Sequence, residues 1–484
     1  MNRNLTLLTD FYELTMMQGY FKTQKNETVV FDAFYRKNPN DAAFSIACGL
    51  QQVIEYIKDL HFSKEDIDYL KSTDLFDDDF LEYLSNFKFT GDIYAIPEGT
   101  VVFPKEPLVK VIAPIMEAQL VETAILNIIN HQSLIATKAA RVVYAANGDG
   151  IMEFGLRRAQ GPDAGIYGAR AAIIGGCIGT SNVLAGQLFD VPIKGTHAHS
   201  WIMSFPDEYT AFKKYAEFYP QACILLVDTY DTLKSGVPNA IKVFNEMRDA
   251  GIPLNFYGIR LDSGDLAYIS KKARKMLDAA GFPDAIISAS SDLDEYLIDS
   301  LKTQGAQITS WGVGTNLITS KDCPAFGGVY KLAAVMDEVT GTFIPKIKLS
   351  ENTEKNTNPG NKTVYRVYDV EGMIKADLIA FADEIYSEED SLLLFDPIET
   401  WKKTLLQPGK YSLRQIMIQV FKQGECIYES PKVMDIQKYC KLELATLWDE
   451  SKRLVNAHGI HVDLSKDLFN VKTKLLDNYS KLDI

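Results

Sequence analysis

The stretch Leu254-Asn-Phe-Tyr-Gly-Ile-Arg-Leu-Asp-Ser-Gly-Asp-Leu266 contains the pattern that decides the fold of this chain. Its first six residues are mostly apolar and predict a buried strand, which a polar segment follows at once. Apolar residues then recur over 266–277 at the spacing of one buried helical face, and Gly281 predicts the end of that helix. Asp262 and Ser263 are its candidate caps. The stretch therefore predicts a strand, a loop and a helix in that order.

The same order of elements recurs between residues 152 and 316. Each predicted strand is a nearly continuous apolar run, which is typical of strands that are covered on both faces. Strands that alternate with helices at this spacing pair in parallel, in either a barrel or an open doubly wound sheet. The number of strands favours the barrel, so we expect an α/β fold built on an irregular, TIM-like α/β barrel. The predicted strands are 150–154, 191–194, 222–227, 254–259, 285–289 and 307–311. After the strand 285–289, Asp292-Leu-Asp-Glu295 has the spacing of a capping box at the start of the next helix.

Polar residues follow most of these strands directly. In a parallel barrel the loops after the strands converge on one mouth, where ligands bind. The sequence therefore predicts one polar pocket, built from residues that are distant along the chain. Its candidate lining is Phe154, Arg157, Thr196, His199, Asp228, Asp231, Arg260, Asp262, Ser291, Asp292, Gly312, Gly314 and Thr315.

The segments that flank the barrel have a different character. Alternation and turns over 89–104 indicate antiparallel strands, and 363–375 resembles a hairpin. The polar, turn-rich segment 350–362 is either a mobile lid or an ordinary exposed loop. We expect an additional α+β domain built from the two ends of the chain. The predicted division is an N-terminal domain over 1–120, the barrel over 121–335, and a C-terminal extension over 336–484 that packs on the N-terminal domain.

Composition limits the partners and the compartment. A formal net charge of −14 argues against a nucleic-acid backbone as partner, since binding phosphates needs a clustered basic surface. The start of the chain shows no secretion signal, and its most apolar stretch, 171–179, is far shorter than a membrane helix requires. The six cysteines include no Cys-x-x-Cys pair. We therefore expect a cytoplasmic protein with reduced thiols that binds neither nucleic acid nor membrane.

Several clusters have the residue types that bind anions or react with them. The glycine-rich segment 311–316 follows a strand, where a phosphate can approach backbone N–H groups. Arg260 stands two residues from Asp262, so the two either hold a ligand or form a structural salt bridge. His197 and His199 could bind a metal, but a third ligand is not evident. Either histidine could instead attack a phosphoryl group or be an ordinary hydrogen-bonded side chain.

These motifs together resemble the nicotinate phosphoribosyltransferase family, and the resemblance runs through most of the chain. Each motif alone is weak, but the ordered set is highly specific. The motifs are Leu8-Thr-Asp-Phe-Tyr-Glu-Leu-Thr-Met-Met-Gln-Gly-Tyr20, Glu153-Phe-Gly-Leu-Arg-Arg-Ala159, Gly179-Thr-Ser-Asn182, Gly195-Thr-His-Ala-His-Ser-Trp201, Ile259-Arg-Leu-Asp-Ser-Gly-Asp265 and Trp311-Gly-Val-Gly-Thr315.

The resemblance implies an activity. Members of the family join nicotinate to 5-phosphoribosyl 1-pyrophosphate in NAD biosynthesis and release pyrophosphate. ATP is a co-substrate that is hydrolysed through a phosphohistidine, and Mg²⁺ arrives on the substrate phosphates rather than at a protein metal site. The active unit implied is a homodimer with shared active sites.

The resemblance also implies a role for each matching residue. His199 is the phosphorylated histidine, and Asp228 and Asp262 are catalytic carboxylates. Tyr12, supplied by the partner subunit, stacks on the pyridine ring against Phe154. The remaining nicotinate contacts are Thr196, Arg260 and Ser181, and the phosphoribosyl contacts are Arg157, Asp292, Gly312, Gly314 and Thr315.

Three alternatives compete with this interpretation. A nicotinamide-specific transferase shares the barrel and the histidine, but an acid in place of Ser181 would suit an amide substrate better, and an arginine pairs best with a carboxylate. A barrel metal hydrolase would use His197 and His199. A non-catalytic regulator would retain the fold without the polar mouth.

Overall fold

The computed structural model describes residues 3–350 and 356–480. The chain forms two compact units. The first contains 1–134, 325–431 and 438–484, and the second contains 135–324 and 432–437. The three-domain division made from the sequence stays a prediction. The segment 351–355, which belongs to the possible lid, lies outside the described residues.

The second unit is built on a six-stranded parallel sheet. The last strand along the chain, Ser310–Val313, pairs with the first, Gly150–Glu153, which is the arrangement of a barrel. Gly179–Thr180 and Cys223–Leu226 stand at the two edges of the sheet, so the barrel is irregular and incomplete. The strands in spatial order are Gly179–Thr180, Gly150–Glu153, Ser310–Val313, Ile286–Ala289, Tyr257–Leu261 and Cys223–Leu226.

Helices alternate with these strands, as the sequence pattern predicts. In Leu266–Ala279 the buried residues include Leu266, Ala273 and Leu277, which form the face predicted from their spacing. All four residues of Cys223–Leu226 are buried. The helices of this unit are Pro162–Ile174, Val183–Phe189, His199–Met203, Glu208–Phe218, Val237–Asp249, Leu266–Ala279, Glu295–Thr303 and Thr315–Ile318.

Three local predictions in this unit are wrong. Residues 191–194 do not form a strand and contribute a single bridge between Ile193 and Thr180. Asp265, rather than Asp262 or Ser263, caps the helix that follows, by accepting from the N–H of residue 268 at 3.0 Å. Asp294 caps Glu295–Thr303 in the same way, in place of the predicted capping box that begins at residue 292.

The first unit contains three further sheets. Seven antiparallel strands form the largest, which includes Asp92–Ala95 from the segment predicted to be antiparallel. The predicted hairpin is present as Lys362–Tyr368 paired with Ile374–Phe381. In spatial order the sheets are Phe343–Pro345, Gly328–Met336, Thr28–Tyr35, Val109–Pro114, Asp92–Ala95, Ile418–Lys422 and Glu425–Cys426; then Lys403–Leu406, Leu392–Phe395, His461–Leu464, Ile374–Phe381, Lys362–Tyr368 and Ser412–Gln415; then Ser45–Ile46 with Val101–Val102.

Segments from both ends of the chain share the core of this unit. Buried residues of the N-terminal segment, such as Phe80 and Val111, belong to one cluster with Val420 and Leu468 from the C-terminal segment. The predicted α/β class with an additional α+β part from both ends of the chain is therefore confirmed. The helices outside the barrel are Phe11–Lys22, Leu50–Lys58, Lys64–Ser72, Asp78–Ser85, Ile115–Leu120, Glu122–Ala145, Val433–Ala445, Asp449–Lys452 and Lys466–Ser480.

All six cysteines are free thiols. No helix within the described ranges 3–350 and 356–480 is both long enough and apolar enough to cross a bilayer.

Candidate active site

A cavity of about 570 Å³ lies at the carboxyl ends of the parallel strands. This volume is in the usual range for small-molecule sites. Ten of the thirteen residues to which the family resemblance gives a role line it, although they come from six separate segments. These ten are Phe154, Arg157, Ser181, Thr196, Arg260, Asp262, Asp292, Gly312, Gly314 and Thr315.

Arg260 enters the cavity from the end of the strand Tyr257–Leu261, and its Nη1 donates a hydrogen bond to Thr196 Oγ1. Burial lowers the pKa of Arg260, although the charges of Asp262 and Asp228 oppose the shift. Its Nε is buried and has no hydrogen-bond partner among the described residues. The guanidinium is therefore held in place while keeping donors free for a ligand.

Asp262 and Asp228 stand side by side at the ends of neighbouring strands. Asp228 Oδ2 accepts from the Asp262 N–H at 2.9 Å and from Ser263 Oγ at 2.7 Å. Asp262 Oδ1 accepts from Ser290 Oγ, which fixes the carboxylate at the cavity wall. Asp231, by contrast, accepts from two backbone N–H groups of its own turn, so it is a cap rather than part of the site.

His199 stands next to this acidic pair. Its Nε2 lies 3.8 Å from Asp262 Oδ2, and its Nδ1 lies 3.1 Å from Thr229 Oγ1. The side chain is 40% exposed, so solvent and solutes reach the ring. The structure thus brings His199 to the edge of the cavity, together with the acid expected to act beside it.

His197 has a different environment, although it lines the same cavity. Its Nε2 accepts from the Leu226 N–H at 3.3 Å, and its ring packs against Tyr215 with centroids 4.6 Å apart. Burial lowers the pKa of His197 to about 4, so the ring is neutral at physiological pH. Within the described part of the chain, no three metal-ligating side chains cluster at this cavity. The metal-hydrolase alternative therefore loses its second histidine ligand.

Another part of the lining is suited to phosphate. Arg157 and Arg158 both line the cavity and are exposed, and neither forms an ion pair within the described part of the chain. The sequence suggests that Gly312 lets a phosphate approach the backbone. The structure shows a different reason for the glycine, because a Cβ there would lie 2.6 Å from the Phe154 ring. The glycine thus makes room for the aromatic side chain, while Thr315 begins a short helix at the cavity wall.

Several structural features of the site carry no signal in the sequence pattern. Ser291 and Asp292 both have positive φ angles, 100° and 40°, which cost non-glycine residues about 1–3 kcal/mol each. Glu153 is fully buried and accepts from Thr180 Oγ1 and from the backbone N–H of the residue after Phe154. Spacing alone could not reveal these features. The lining residues that the sequence analysis did not select for the site are Leu156, Arg158, Gly195, Ala198 and Ser290, whereas His197 and Ser291 were candidates to which the resemblance gives no role.

Tyr12 belongs to the first unit, on the helix Phe11–Lys22. Its side chain is 44% exposed. Partial burial raises the pKa of its hydroxyl, and the carboxylates of Glu122 and Glu13 raise it further. The ring is therefore a neutral aromatic surface that solvent reaches on one side.

Some buried polar atoms at or beside the cavity have no hydrogen-bond partner. Within the described residues they include His197 Nδ1, Asp228 Oδ1 and Arg260 Nε. Such atoms are costly in a folded protein unless a ligand or water satisfies them. Asp228 Oδ1 is an acceptor and Arg260 Nε is a cationic donor, and neither has a partner among the described residues. Together they indicate a ligand that carries both hydroxyl and anionic groups.

Comparisons with known proteins show the family of this chain. Models of the nicotinate phosphoribosyltransferase N-terminal domain, family and C-terminal domain match residues 7–130, 150–372 and 361–472. A nicotinate phosphoribosyltransferase of Bacillus subtilis is 46% identical over 97% of this chain and 94% of its own length. A human nicotinate phosphoribosyltransferase is 31% identical over 96% of this chain and 95% of its own.

A solved structure extends the comparison to the fold. The crystal structure of human nicotinic acid phosphoribosyltransferase superimposes with a TM-score of 0.83 at 28% identity. The match covers 97% of this chain and 99% of that one. The resemblance stated from the sequence motifs is confirmed, and the chain belongs to the nicotinate phosphoribosyltransferase family.

Proposed function

We propose that the cavity at the ends of the parallel strands binds nicotinate beside 5-phosphoribosyl 1-pyrophosphate and joins them to nicotinate mononucleotide, with release of pyrophosphate. One observation carries the proposal: ten residues selected for this chemistry, distant in sequence, line one cavity. The chain thus acts as a nicotinate phosphoribosyltransferase in NAD salvage.

Nicotinate binds at the Arg260 end of the cavity. The guanidinium, already oriented by its bond to Thr196, pairs with the carboxylate of the substrate, and Ser181 lies in the same lining. Phe154 offers a ring face for stacking on the pyridine. A carboxylate gains a charge-assisted pair here that the neutral amide of nicotinamide cannot make, so the site favours the acid.

The phosphoribosyl group binds at the part of the lining that contains Arg157. Arg157 supplies positive charge that is not neutralised within the described part of the protein, and Arg158 adds to it. The backbone at Gly314 and the hydroxyl of Thr315 bind the 5-phosphate. Asp292 lies in this lining and accepts from the ribose hydroxyls.

The reaction replaces one bond at the anomeric carbon by another. The pyridine nitrogen attacks this carbon as the bond to pyrophosphate breaks, and the leaving pyrophosphate departs with the Mg²⁺ that came with the substrate. Positive charge develops on the sugar in the transition state, and Asp262 and Asp228 are placed to stabilise it. Asp228 Oδ1, buried without a partner among the described residues, suits a sugar hydroxyl or a water on the metal.

ATP hydrolysis is coupled to transfer through His199. Because Nδ1 contacts Thr229, Nε2 is the nitrogen left to attack the γ-phosphoryl group, with ADP as leaving group. Asp262 lies on the same side of the ring, 3.8 Å from Nε2, and the phosphoryl group is then transferred from Nε2 to water. Mg²⁺ enters with the nucleotide as part of the substrate.

The active unit is a homodimer in which each subunit supplies Tyr12 to the cavity of the other. The exposed ring on the helix Phe11–Lys22 supports this assignment, since a half-exposed aromatic side chain gains most from a stacking partner.

Product formation tests the proposal. The purified full chain is incubated with 5-phosphoribosyl 1-pyrophosphate and Mg²⁺, with nicotinate or nicotinamide, and with or without ATP. We expect nicotinate mononucleotide and pyrophosphate in equal amounts, and faster formation with ATP. Comparable turnover of nicotinamide would show that the Arg260 end does not select a carboxylate, and absence of both products would refute the function.

A further inference from the structure

Three potential metal ligands converge in the first unit, outside the residues assigned to catalysis. His461 and Asp463 lie two residues apart on the strand His461–Leu464, so their side chains leave the same face of the sheet. Asp396 directly follows the neighbouring antiparallel strand Leu392–Phe395. One ligand atom from each of the three residues lies within 4.8 Å of the others.

Asp463 has the environment expected of a carboxylate that binds a cation. It is 4% exposed and lines a cavity of about 240 Å³ together with His461 and Asp396. No described residue donates a hydrogen bond to its carboxylate, whose oxygens are not among the solvent-excluded atoms without partners and therefore reach the cavity. A buried carboxylate without a partner is strongly disfavoured, and a second carboxylate beside it adds repulsion.

Asp396 is already oriented towards this point. Its Oδ1 accepts from the backbone N–H groups of residues 398 and 399 at 2.8 and 2.9 Å, which fixes the carboxylate and leaves Oδ2 open. The register Phe395↔Leu464, continued by one residue, places Asp396 beside Asp463. The acids are therefore adjacent because of the strand pairing, not because of a flexible loop.

We propose that Asp396, His461 and Asp463 bind one divalent transition-metal ion, of the kind represented by Zn²⁺ and Mn²⁺. Two carboxylates and one imidazole are ligands that these ions accept, at about 2.0–2.2 Å from the metal. The ligand atoms need to approach one another by small side-chain rotations, which the exposed His461 can make. The remaining coordination positions face the cavity and take water.

The ion would stabilise a contact between two strands that has little backbone pairing. The strands Leu392–Phe395 and His461–Leu464 pair through a single residue pair, whereas His461–Leu464 pairs with Ile374–Phe381 through four. A metal held by one residue after the first strand and two residues of the second supplies a link that the hydrogen-bond ladder does not.

The same cavity has a basic wall formed by Arg36 and Lys105. Arg36 Nε is buried and has no hydrogen-bond partner within the described residues. This wall would attract an anion, but it does not account for the three clustered ligand atoms. Binding of inorganic phosphate without metal is therefore the competing outcome of the test.

Metal content of the full chain tests the proposal. The protein is stripped with a chelator, dialysed against Zn²⁺ or Mn²⁺ without substrates, and analysed for bound metal. We expect about one ion per chain for the natural sequence and for the control His458→Gln, an exposed histidine near the cluster. Asp463→Asn and His461→Gln should each lose it. Because His461 is exposed, His461→Gln keeps the test valid if Asp463→Asn fails to fold.

Thermal unfolding gives a second readout that does not depend on activity. At a hundredfold excess over Kd, metal should raise the Tm of the natural sequence by about 5 °C and leave the Tm of His461→Gln unchanged. Three results would overturn the proposal: no retained metal, retained metal that is unaffected by both substitutions, or stabilisation by inorganic phosphate without metal.

Discussion

Replacement of Arg260 by lysine tests the basis of substrate choice. Arg260→Lys keeps the positive charge but removes the planar fork, which can hold Thr196 and a carboxylate at the same time. A lysine has one nitrogen, so one of these two interactions is weakened. We expect the variant to discriminate poorly between nicotinate and nicotinamide.

The structure sets the size of the effect. A hydrogen bond to a charged group contributes about 1.5–3 kcal/mol, and the guanidinium is shielded enough for burial to lower its pKa. Loss of one such contact at about 2 kcal/mol corresponds to roughly a 30-fold decrease in kcat/KM, since 1.4 kcal/mol is tenfold. The decrease should fall on nicotinate and leave slow turnover of nicotinamide nearly unchanged.

Steady-state kinetics with both substrates measure this directly. Arg248→Lys is the matched control, because Arg248 is half-exposed on the outer helix Val237–Asp249 and lies outside the cavity lining. An Arg260→Lys variant whose kcat/KM falls equally for nicotinate and nicotinamide, or falls for neither, would refute the assignment of Arg260 to the carboxylate.

Four other experiments test separate parts of the account. His199→Asn should abolish ATP hydrolysis while slow, ATP-independent formation of nicotinate mononucleotide continues, as product assays can show. His197 has a pKa of about 4 in the folded state and 6.5 when unfolded, so its neutral form stabilises the fold above pH 6.5 and this stability is lost as the pH falls from 6.5 to 4. The stability gap between the natural sequence and His197→Gln, from urea unfolding, should therefore shrink by about 2–3 kcal/mol between pH 7 and pH 4.5. Gly258→Ala places a Cβ 2.0 Å from a carbonyl oxygen of the adjacent strand, and it should lower stability by about 3 kcal/mol in the same assay. Tyr12→Ala mixed with Asp262→Asn should recover about a quarter of full activity, because half of randomly mixed dimers regain one intact site.

Each of these expectations has an outcome that contradicts it. Retained ATPase activity in His199→Asn would remove that residue from phosphoryl transfer. A pH-independent stability gap for His197→Gln would mean that the ring is solvated. Gly19→Ala is the control for Gly258→Ala, because a Cβ built at this helical glycine has no neighbour within 4 Å, and it should stabilise the protein slightly. Equal effects of the two substitutions on stability would contradict the close strand packing at Gly258. Mixed inactive subunits that stay inactive would argue against a shared site.

Much of the barrel could be predicted because its signals are local. A fully buried strand such as Cys223–Leu226 is an uninterrupted apolar run, and the helix Leu266–Ala279 shows its periodicity over four turns. The convergence of polar residues at one mouth then follows from the geometry of parallel strands. This convergence does not depend on how far apart the residues are in the sequence. Residues as distant as Phe154 and Thr315 could therefore be assigned correctly to one cavity.

The sequence predictions were wrong where strand pairing, rather than the local residue pattern, determines the structure. Gly179–Thr180 is a two-residue strand because it pairs with Gly150–Glu153, and its glycine-rich sequence resembles a turn. The more strand-like segment 191–194 finds a single bridge. Likewise, Asp262 looks like a helix cap, but it ends the strand and faces Asp228, which leaves capping to Asp265. Several acids in one loop have equal sequence signals, and only the strand register separates them.

The positive φ angles at Ser291 and Asp292 could not be inferred from residue type. Neither residue favours this region strongly, and the strain is tolerated because the surrounding loop is fixed. Asn316 Nδ2 donates to the carbonyl oxygen of Asp292 at 2.9 Å and to that of Leu293 at 3.1 Å, which holds the turn in place. Such tertiary contacts are the part of the site that sequence patterns leave undetermined.

The central claim is that one cavity accommodates both a ribosyl phosphate and a flat aromatic acid. A crystal structure of the full chain with nicotinate mononucleotide tests this claim most directly. The account predicts the pyridine carboxylate at Arg260 and Thr196 and the 5-phosphate at Gly314 and Thr315, with the ribose near Asp262. A nucleotide bound in the opposite orientation, or outside this cavity, would contradict it.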